Sequence, residues 1–310
     1  MSKEANSCPA CGCKKTNVYL PKCGDIIHRN PGTWSLVECD GCQVIYTTPQ
    51  LNAKEILQYY PKEYASYNVA AGLRKSFSND IFRKIIMSPY WLRYGSPEWG
   101  EKPFGQSTLL EIGCGTGIFM KKMFARGWKC TGIDISPVAV EWAMKNIPEA
   151  DVSQSSLADY STEQRYDMIV MSQVLEHFSD PVESLKKSFN LLRPSGKLFI
   201  GIPNIGSFEA KLFGRYWRGL DIPRHMVHFR EPVLLRLLER CGFVIENVRP
   251  AMFASSVSES VILALPSAMR NRLLHSSSAH LLYLLAIFPA ALSYLFGNRG
   301  IIEIIAKRPN

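Results

Sequence analysis

The hydrophobic period of the chain changes along its length. Over the first fifty residues the apolar positions come in short runs, Val18-Tyr19-Leu20, Trp34-Ser-Leu-Val37 and Val44-Ile-Tyr46, separated by turn-forming residues, which predicts short strands. From Thr108 apolar runs of strand length alternate with stretches of helical period. The predicted order is strand Thr108 to Ile112, helix Gly117 to Arg126, strand Trp128 to Ile133, helix Pro137 to Asn146 and a weak strand near Val152. Strand Tyr166 to Ser172, helix Pro181 to Leu192, strand Lys197 to Pro203, helix Pro232 to Cys241 and strand Phe243 to Arg249 follow, and Gly300 to Lys307 closes the series. Alternation of this kind predicts right-handed crossovers and an α/β fold with a parallel sheet.

Two stretches stand outside that rhythm. Residues 51–102 are helical in tendency and rich in aromatics, as expected of a lid or linker between an N-terminal module (1–50) and the α/β domain (103–310). Near the C-terminus, 281–296 is almost wholly apolar and belongs to an insertion at about 252–297 before the last strand. It is shorter than the roughly 20 residues that span a bilayer, and Pro289 would kink a helix there. The insertion is therefore read as helices packed in the protein's own core or a dimer, or as an apolar face on a membrane interface. Arg270, Arg272, His275, His280 and Arg299 flank it with basic or titratable groups.

The composition, 46% hydrophobic and 20% charged over 310 residues, excludes a fibrous or intrinsically disordered chain. The net charge of +9 has its basic excess outside the middle third, which favours anionic partners: nucleic acid, phosphorylated substrates or an acidic membrane face. Met1 to Ser7 lacks the apolar run of a secretory signal, so a cytoplasmic location, or one peripheral to the membrane, is expected. In that reducing setting nine cysteines point to metal rather than to disulfides.

Cys8-Pro-Ala-Cys11 and Cys39-Asp-Gly-Cys42 are two Cys-x-x-Cys knuckles. Each brings two thiolates to one ion from a tight turn, and together they complete the tetrahedral sulfur shell that zinc prefers. Four thiolates leave no open position, so a structural zinc is expected. Cys13 and Cys23 are competing thiols near the set.

Leu109-Leu-Glu-Ile-Gly-Cys-Gly-Thr-Gly-Ile118 puts Gly113, Gly115 and Gly117 directly between a strand and a helix, where the backbone can turn sharply and touch a ligand. Ile118 stands where a dinucleotide fingerprint requires its third glycine, which disfavours a dehydrogenase. The segment resembles the first motif of class I S-adenosylmethionine-dependent methyltransferases. Gly132-Ile-Asp134, the stretch Asp167 to Pro181 and Leu191-Leu-Arg-Pro-Ser-Gly-Lys-Leu198 are similar to later motifs of the same family.

That resemblance implies a Rossmann-like seven-stranded sheet, here joined to an N-terminal zinc ribbon and a helical insertion. It implies S-adenosylmethionine as cofactor, with Glu111, Gly113, Gly115 and Gly117 lining its methionine part. Asp134 and Ile135 would hold ribose and adenine, Ser156 and Leu157 would contact adenine, and Gln173 would sit at the mouth of the fourth strand.

Methyl transfer from a sulfonium asks the protein to position the acceptor and remove its proton. His177 follows the fourth strand. Trp217-Arg-Gly-Leu-Asp-Ile-Pro-Arg-His225 resembles a segment of bacterial methyltransferases from cell-surface glycan and secondary-metabolite pathways, so Arg224, His225 and His228 join His177 as candidate catalytic residues. An oxygen acceptor on a small molecule or glycan, nucleotide- or lipid-linked and anionic, is the favoured reading. Some ribosomal-RNA methyltransferases also join a zinc ribbon to this fold, which keeps an RNA methyltransferase as the alternative. A non-catalytic zinc- and cofactor-binding protein is the third.

Overall fold

The computed structural model describes residues 7–60, 107–251, 254–266, 269–270 and 300–310. The expected lid over 61–102 and the apolar run 281–296, with Arg272, His275, His280 and Arg299, lie outside the described residues.

The short apolar runs near the N-terminus form β1 (Thr16–Cys23), β2 (Trp34–Cys39) and β3 (Ile45–Thr48), joined in antiparallel register, and α1 (Ala53–Leu57) follows. The alternating region gives β4 (Thr108–Ile112), α2 (Ile118–Phe124), β5 (Lys129–Asp134), α3 (Pro137–Asn146), β6 (Asp151–Gln154) and β7 (Tyr166–Ser172). A 3₁₀ turn at Leu175–His177 leads to α4 (Pro181–Leu191) and β8 (Leu192–Pro203). After these come α5 (Phe208–Phe213), β9 (Val227–His228), α6 (Glu231–Arg240), β10 (Val244–Ala251), α7 (Ala254–Ala264) and β11 (Ile301–Lys307).

A seven-stranded sheet runs in the order β10-β11-β8-β7-β4-β5-β6. The pairs β7-β4, β4-β5 and β5-β6 are parallel, and β10-β11 is antiparallel. All five residues of β4 are buried, the run expected of a strand covered on both faces. Ser136 caps α3 by accepting the Ala139 N–H, and Pro137 occupies its first turn, so that boundary is written in the sequence.

The chain divides into two compact units: Met1–Tyr60 with Ser172–Phe189 and Phe199–Lys307, and Pro61–Met171 with Asn190–Leu198 and Arg308–Asn310. The first differs from the expected separate module at 1–50. The two-residue strand β9 pairs with β3, making a four-stranded sheet in the order β1-β2-β3-β9. Trp34, Leu36 and Ile45 from that sheet share one core with Ile205, Ala210, Trp217, Leu220 and Ile222. Apolar side chains facing each other across such a core lose that burial if the ribbon stands alone, which explains the merger. β8 also begins earlier than expected. The Ser195 N–H donates to the Arg308 carbonyl and the Arg308 N–H to that of Gly196, so the chain end supplies partners that no local pattern shows.

Gly117 has φ +77°, and a Cβ there would lie 3.2 Å from the Ala143 Cβ and the Ile147 Cδ1. Gly117→Ala is expected to cost about 1–2 kcal/mol from the left-handed backbone alone, read as a lower denaturant midpoint at unchanged slope.

Candidate active site

The glycine loop follows from β4 ending against β5. The Gly113 and Cys114 N–H groups both donate to the Ile133 carbonyl, at 2.8 and 3.1 Å, which folds the loop back over the strand end. Gly113, Gly115 and Gly117 all have φ between +53° and +77°, where a side chain is strained. The Asp134 carboxylate accepts the Gly115 N–H at 2.9 Å and the Ser136 N–H at 2.8 Å, tying the loop to the end of β5. Burial raises the Asp134 pKa, and the N–H bonds from Ser136, Gly115 and Ile135 oppose that rise.

These residues suit a nucleoside-bearing cofactor. A Cβ on Gly115 would meet open space, so the loop backbone is accessible to a ligand. Glu111 is 5% exposed, and its Oε2 accepts no hydrogen bond. Burial, with the Asp134 charge adding, pushes the Glu111 pKa well above the usual carboxylate range. The carboxyl takes a backbone bond from Met120, and its second oxygen, next to a glycine cradle, is open to a further donor.

Ile135 is exposed just after β5, Leu157 is buried, and the Ser156 hydroxyl donates to Asp159 at 2.6 Å. Gln173 belongs to the other unit. It has φ +58°, and both its N–H and its Nε2 donate to the Gly201 carbonyl, at 2.7 and 3.1 Å, which orients the side-chain amide.

The candidate catalytic residues gather within the first unit, but not in the roles expected. Arg224 is one of the candidate catalytic residues, expected to supply charge beside His225 and His228. It is instead fully buried, with both terminal nitrogens on Asp25 at 2.9 and 3.0 Å, Nε and Nη2 on Asp221 at 3.0 and 2.6 Å, and Nη1 also on the Tyr59 carbonyl. All of its polar edge is consumed, so it acts as a clamp. Burial alone would raise the Asp221 pKa, yet the charges of Arg218 and Arg224, with His225 close by, hold it well below the usual range. Asp25 is likewise depressed: burial opposes, and the bonds from Arg224 and the His28 N–H prevail.

His225 lies beside this clamp. Its Nδ1 is 2.9 Å from the Gly219 carbonyl, and its Nε2 is 3.9 Å from both Glu176 Oε1 and Asp221 Oδ2. The His177 Nδ1 lies 3.0 Å from the Arg224 carbonyl and 2.9 Å from the Tyr60 hydroxyl, and the two imidazoles meet edge to face at 4.7 Å. His228 is buried in β9 with its Nε2 unpartnered. Burial lowers all three histidine pKa values, that of His228 to about 3 and that of His225 well below its ordinary value. The three rings are thus neutral at pH 7, available as bases or ligands rather than as cations.

The first candidates omitted Glu176, Asp221, Asp25 and Tyr60. Glu176 and Asp221 were visible within the Leu-Glu-His and Trp-Arg-Gly-Leu-Asp segments. Asp25 and Tyr60 carry no local signal, because their partners are 199 and 117 residues away.

Cys8, Cys11, Cys39 and Cys42 place their sulfurs within 4.8 Å of one another, with Cys8–Cys42 and Cys11–Cys39 at 3.5 Å. A hydrogen bond from Cys8 lowers the Cys42 pKa to about 5, and the same contact raises that of Cys8. The competing thiols are elsewhere engaged: Cys23 is buried against the Leu20 and Pro21 carbonyls, and Cys13 faces that of Lys15. The four could hold a thiophilic ion.

A family model described as a methyltransferase domain matches residues 86–248, just over half of the chain. The chain therefore belongs to the methyltransferase-domain family, and it is an S-adenosylmethionine-dependent methyltransferase of class I fold. It is 26% identical over 179 residues to the ubiquinone biosynthesis O-methyltransferase of Xanthomonas axonopodis pv. citri, covering 54% of this chain and 74% of that one. The enzyme of that description from Methylobacterium sp. is 23% identical over 219 residues, 67% of this chain and 88% of its own. Of the Xanthomonas oryzae pv. oryzae relatives the chain spans only 55%. Among solved structures, the [4+2]-cyclase SpnF shares the fold at 18% identity and a TM-score of 0.51, covering 84% of this chain and 98% of that one. No helix of the described residues is long and apolar enough to cross a membrane.

Arg224→Met is expected to destabilise the protein by about 3–5 kcal/mol, because it leaves Asp25 and Asp221 buried without a counter-charge. Equilibrium denaturation at pH 7 measures it. Both carboxyls are depressed in the fold, so their stabilisation is complete above the ordinary Asp pKa near ~4 and disappears as pH falls through the lower folded values. The gap between wild type and Arg224→Met should accordingly narrow in acid.

Proposed function

We propose that this protein methylates an oxygen of a small-molecule or glycan acceptor, with a zinc ion held structurally by Cys8, Cys11, Cys39 and Cys42. The observation that carries the oxygen reading is the pair of neutral imidazoles, His177 and His225, because a hydroxyl must lose its proton as the methyl group arrives. The relatives named as O-methyltransferases support it. The resemblance to glycan-pathway enzymes at Trp217 to His225, together with the basic net charge, favours an anionic, sugar-bearing acceptor.

S-Adenosylmethionine supplies a methyl group already activated on sulfur. Glu111 and the loop of Gly113, Gly115 and Gly117 are assigned to its methionine portion. Asp134 takes the ribose hydroxyls, an acceptor-only carboxylate suiting two donors, and Ile135, Ser156 and Leu157 take the base. Zinc would draw the β1–β3 module together at its open end, where Cys8 and Cys11 precede β1 and Cys42 follows β2.

Asp134→Asn should weaken S-adenosylmethionine binding roughly tenfold to a hundredfold by calorimetry, the loss of a charge-assisted hydrogen bond worth about 1.5–3 kcal/mol. Unchanged affinity would place the cofactor elsewhere. For the reaction itself, the full chain with labelled cofactor would be offered hydroxyl-bearing sugar nucleotides, glycolipid extracts, phenolic small molecules and total RNA. Label in an alkali-stable ether of a small molecule or glycan is expected, whereas transfer to RNA alone would replace this reading. If zinc occupies the four cysteines, the exposed Cys11 resists alkylation until a strong chelator is added; alkylation at the rate of a free thiol in the isolated protein would remove the zinc.

A further inference from the structure

Among the described residues, no side-chain donor reaches the Glu176 carboxyl within hydrogen-bond distance. A backbone carbonyl only accepts, so the bond of the His177 Nδ1 to the Arg224 carbonyl at 3.0 Å puts the proton of the neutral ring on Nδ1, with the Tyr60 hydroxyl at 2.9 Å as a second acceptor there. The Gly219 carbonyl, 2.9 Å from the His225 Nδ1, does the same there. In both rings the lone pair is therefore on Nε2. Glu176 is 2% exposed, and among the described residues no other residue hydrogen-bonds either of its carboxyl oxygens. One ligand atom from each of Glu176, His177 and His225 falls within a group whose members are all within 4.8 Å of each other.

Protons do not account for this arrangement well. The 3.9 Å between the His225 Nε2 and Glu176 Oε1 is too long for a hydrogen bond. Two ligands with bonds of about 2.0–2.2 Å stand about 3.0–3.4 Å apart in a tetrahedral or octahedral cis pair, so the two groups are within about 1 Å of ligand spacing and would close on an ion. We infer that Glu176, His177 and His225 form a binding site for a divalent first-row transition cation, separate from the four cysteines.

Two features support the site. Two imidazoles and one carboxylate form a donor set that suits zinc or iron(II), unlike the all-thiolate cluster. Each imidazole is oriented through its far nitrogen by a backbone carbonyl, the arrangement by which proteins fix metal-binding histidines. Asp25 and Asp221 answer Arg224 and Arg218, and the buried Glu176 carboxyl, whose pKa burial raises to about 8, gives up its proton when a cation binds. Asp221 Oδ2, 3.9 Å from the same His225 nitrogen, and Arg218, 3.6 Å from that oxygen, complete the charged surroundings. Three protein ligands leave coordination positions open to water or to an oxygen ligand. With a cation bound, the Nε2 lone pairs of His177 and His225 are its ligands, so the two rings act as bases only in the ion-free protein.

The test uses the full chain, with zinc counted before and after dialysis against a weak chelator and then restored by calorimetric titration with Zn²⁺. Wild type should hold one equivalent beyond the thiolate-bound ion, retained through dialysis or regained in the titration. Glu176→Gln and His225→Gln should each weaken that equivalent at least tenfold while S-adenosylmethionine binding and the unfolding midpoint report an intact fold. Absence of the further equivalent from wild type, or its survival at unchanged affinity in folded variants, would overturn the site. Should either variant unfold, Co²⁺ bound to wild type as the further equivalent decides: ligand-field absorption without thiolate-to-cobalt charge transfer supports nitrogen and oxygen ligation, and a charge-transfer band refutes it.

Discussion

Much of the first unit is organised around one buried guanidinium. Arg224 spans Asp25 and Asp221 and also caps the Tyr59 carbonyl, so it connects the β1–β2 connection, the end of α1 and the loop before β9. Such a triad adds little net stability over an apolar core of the same size, because desolvation consumes much of the Coulombic gain. What it fixes is geometry. Asp25 receives the Ile27 and His28 N–H groups and the Asn30 amide besides the guanidinium, so its position is set by its own loop before Arg224 arrives. The Arg224 carbonyl, on the same residue, then orients His177.

Backbone pairing extends that control. Thr47 in β3 donates its N–H to the Met226 carbonyl and its hydroxyl to that of His225, while the Met226 N–H donates to the Glu176 carbonyl. Arg230 forks onto Glu38 of β2 at 2.6 and 3.0 Å. The β1–β3 module is thereby part of the scaffold of the histidine cluster. A module of this kind is easily read as a recognition appendage; here its sheet supplies the wall against which His225 and Met226 are set. In the second unit the equivalent precision comes from three left-handed glycines and the Asp134 carboxylate, which accepts backbone N–H groups of the loop and of α3's cap.

Legibility in the sequence follows how local each determinant is. The strand Thr108–Ile112, the helix Pro137–Asn146 and the strand Tyr166–Ser172 were readable to the residue, because burial on both faces and a Ser-Pro cap leave a continuous signal. The glycine loop and Asp134 were readable because a sharp turn at a strand end tolerates few residue types. Arg224 was misread for the opposite reason: an arginine beside two histidines looks the same in sequence whether it awaits a substrate or is locked by a carboxylate far away. Glu176 was passed over beside the more conspicuous His177, since only three dimensions show that its oxygens are unanswered. The merger of ribbon and domain through β9 rests on a two-residue strand, below the length at which any periodicity exists.

The separation of Asp25 from Arg224 along the chain also sets an order of events during synthesis. The β1–β3 module emerges early, with a carboxylate built to be buried and a sheet edge at β3 built to be covered. Their partners, Arg224 and β9, follow 199 residues after Asp25. At about 5–20 residues per second, that gap is on the order of 10–40 s, during which Trp34, Leu36 and Ile45 lack the far half of their core. The nascent N-terminus is therefore exposed to misassociation for longer than a self-sufficient ribbon, and an early metal closure at the four cysteines would hold it in register until the rest of its fold arrives.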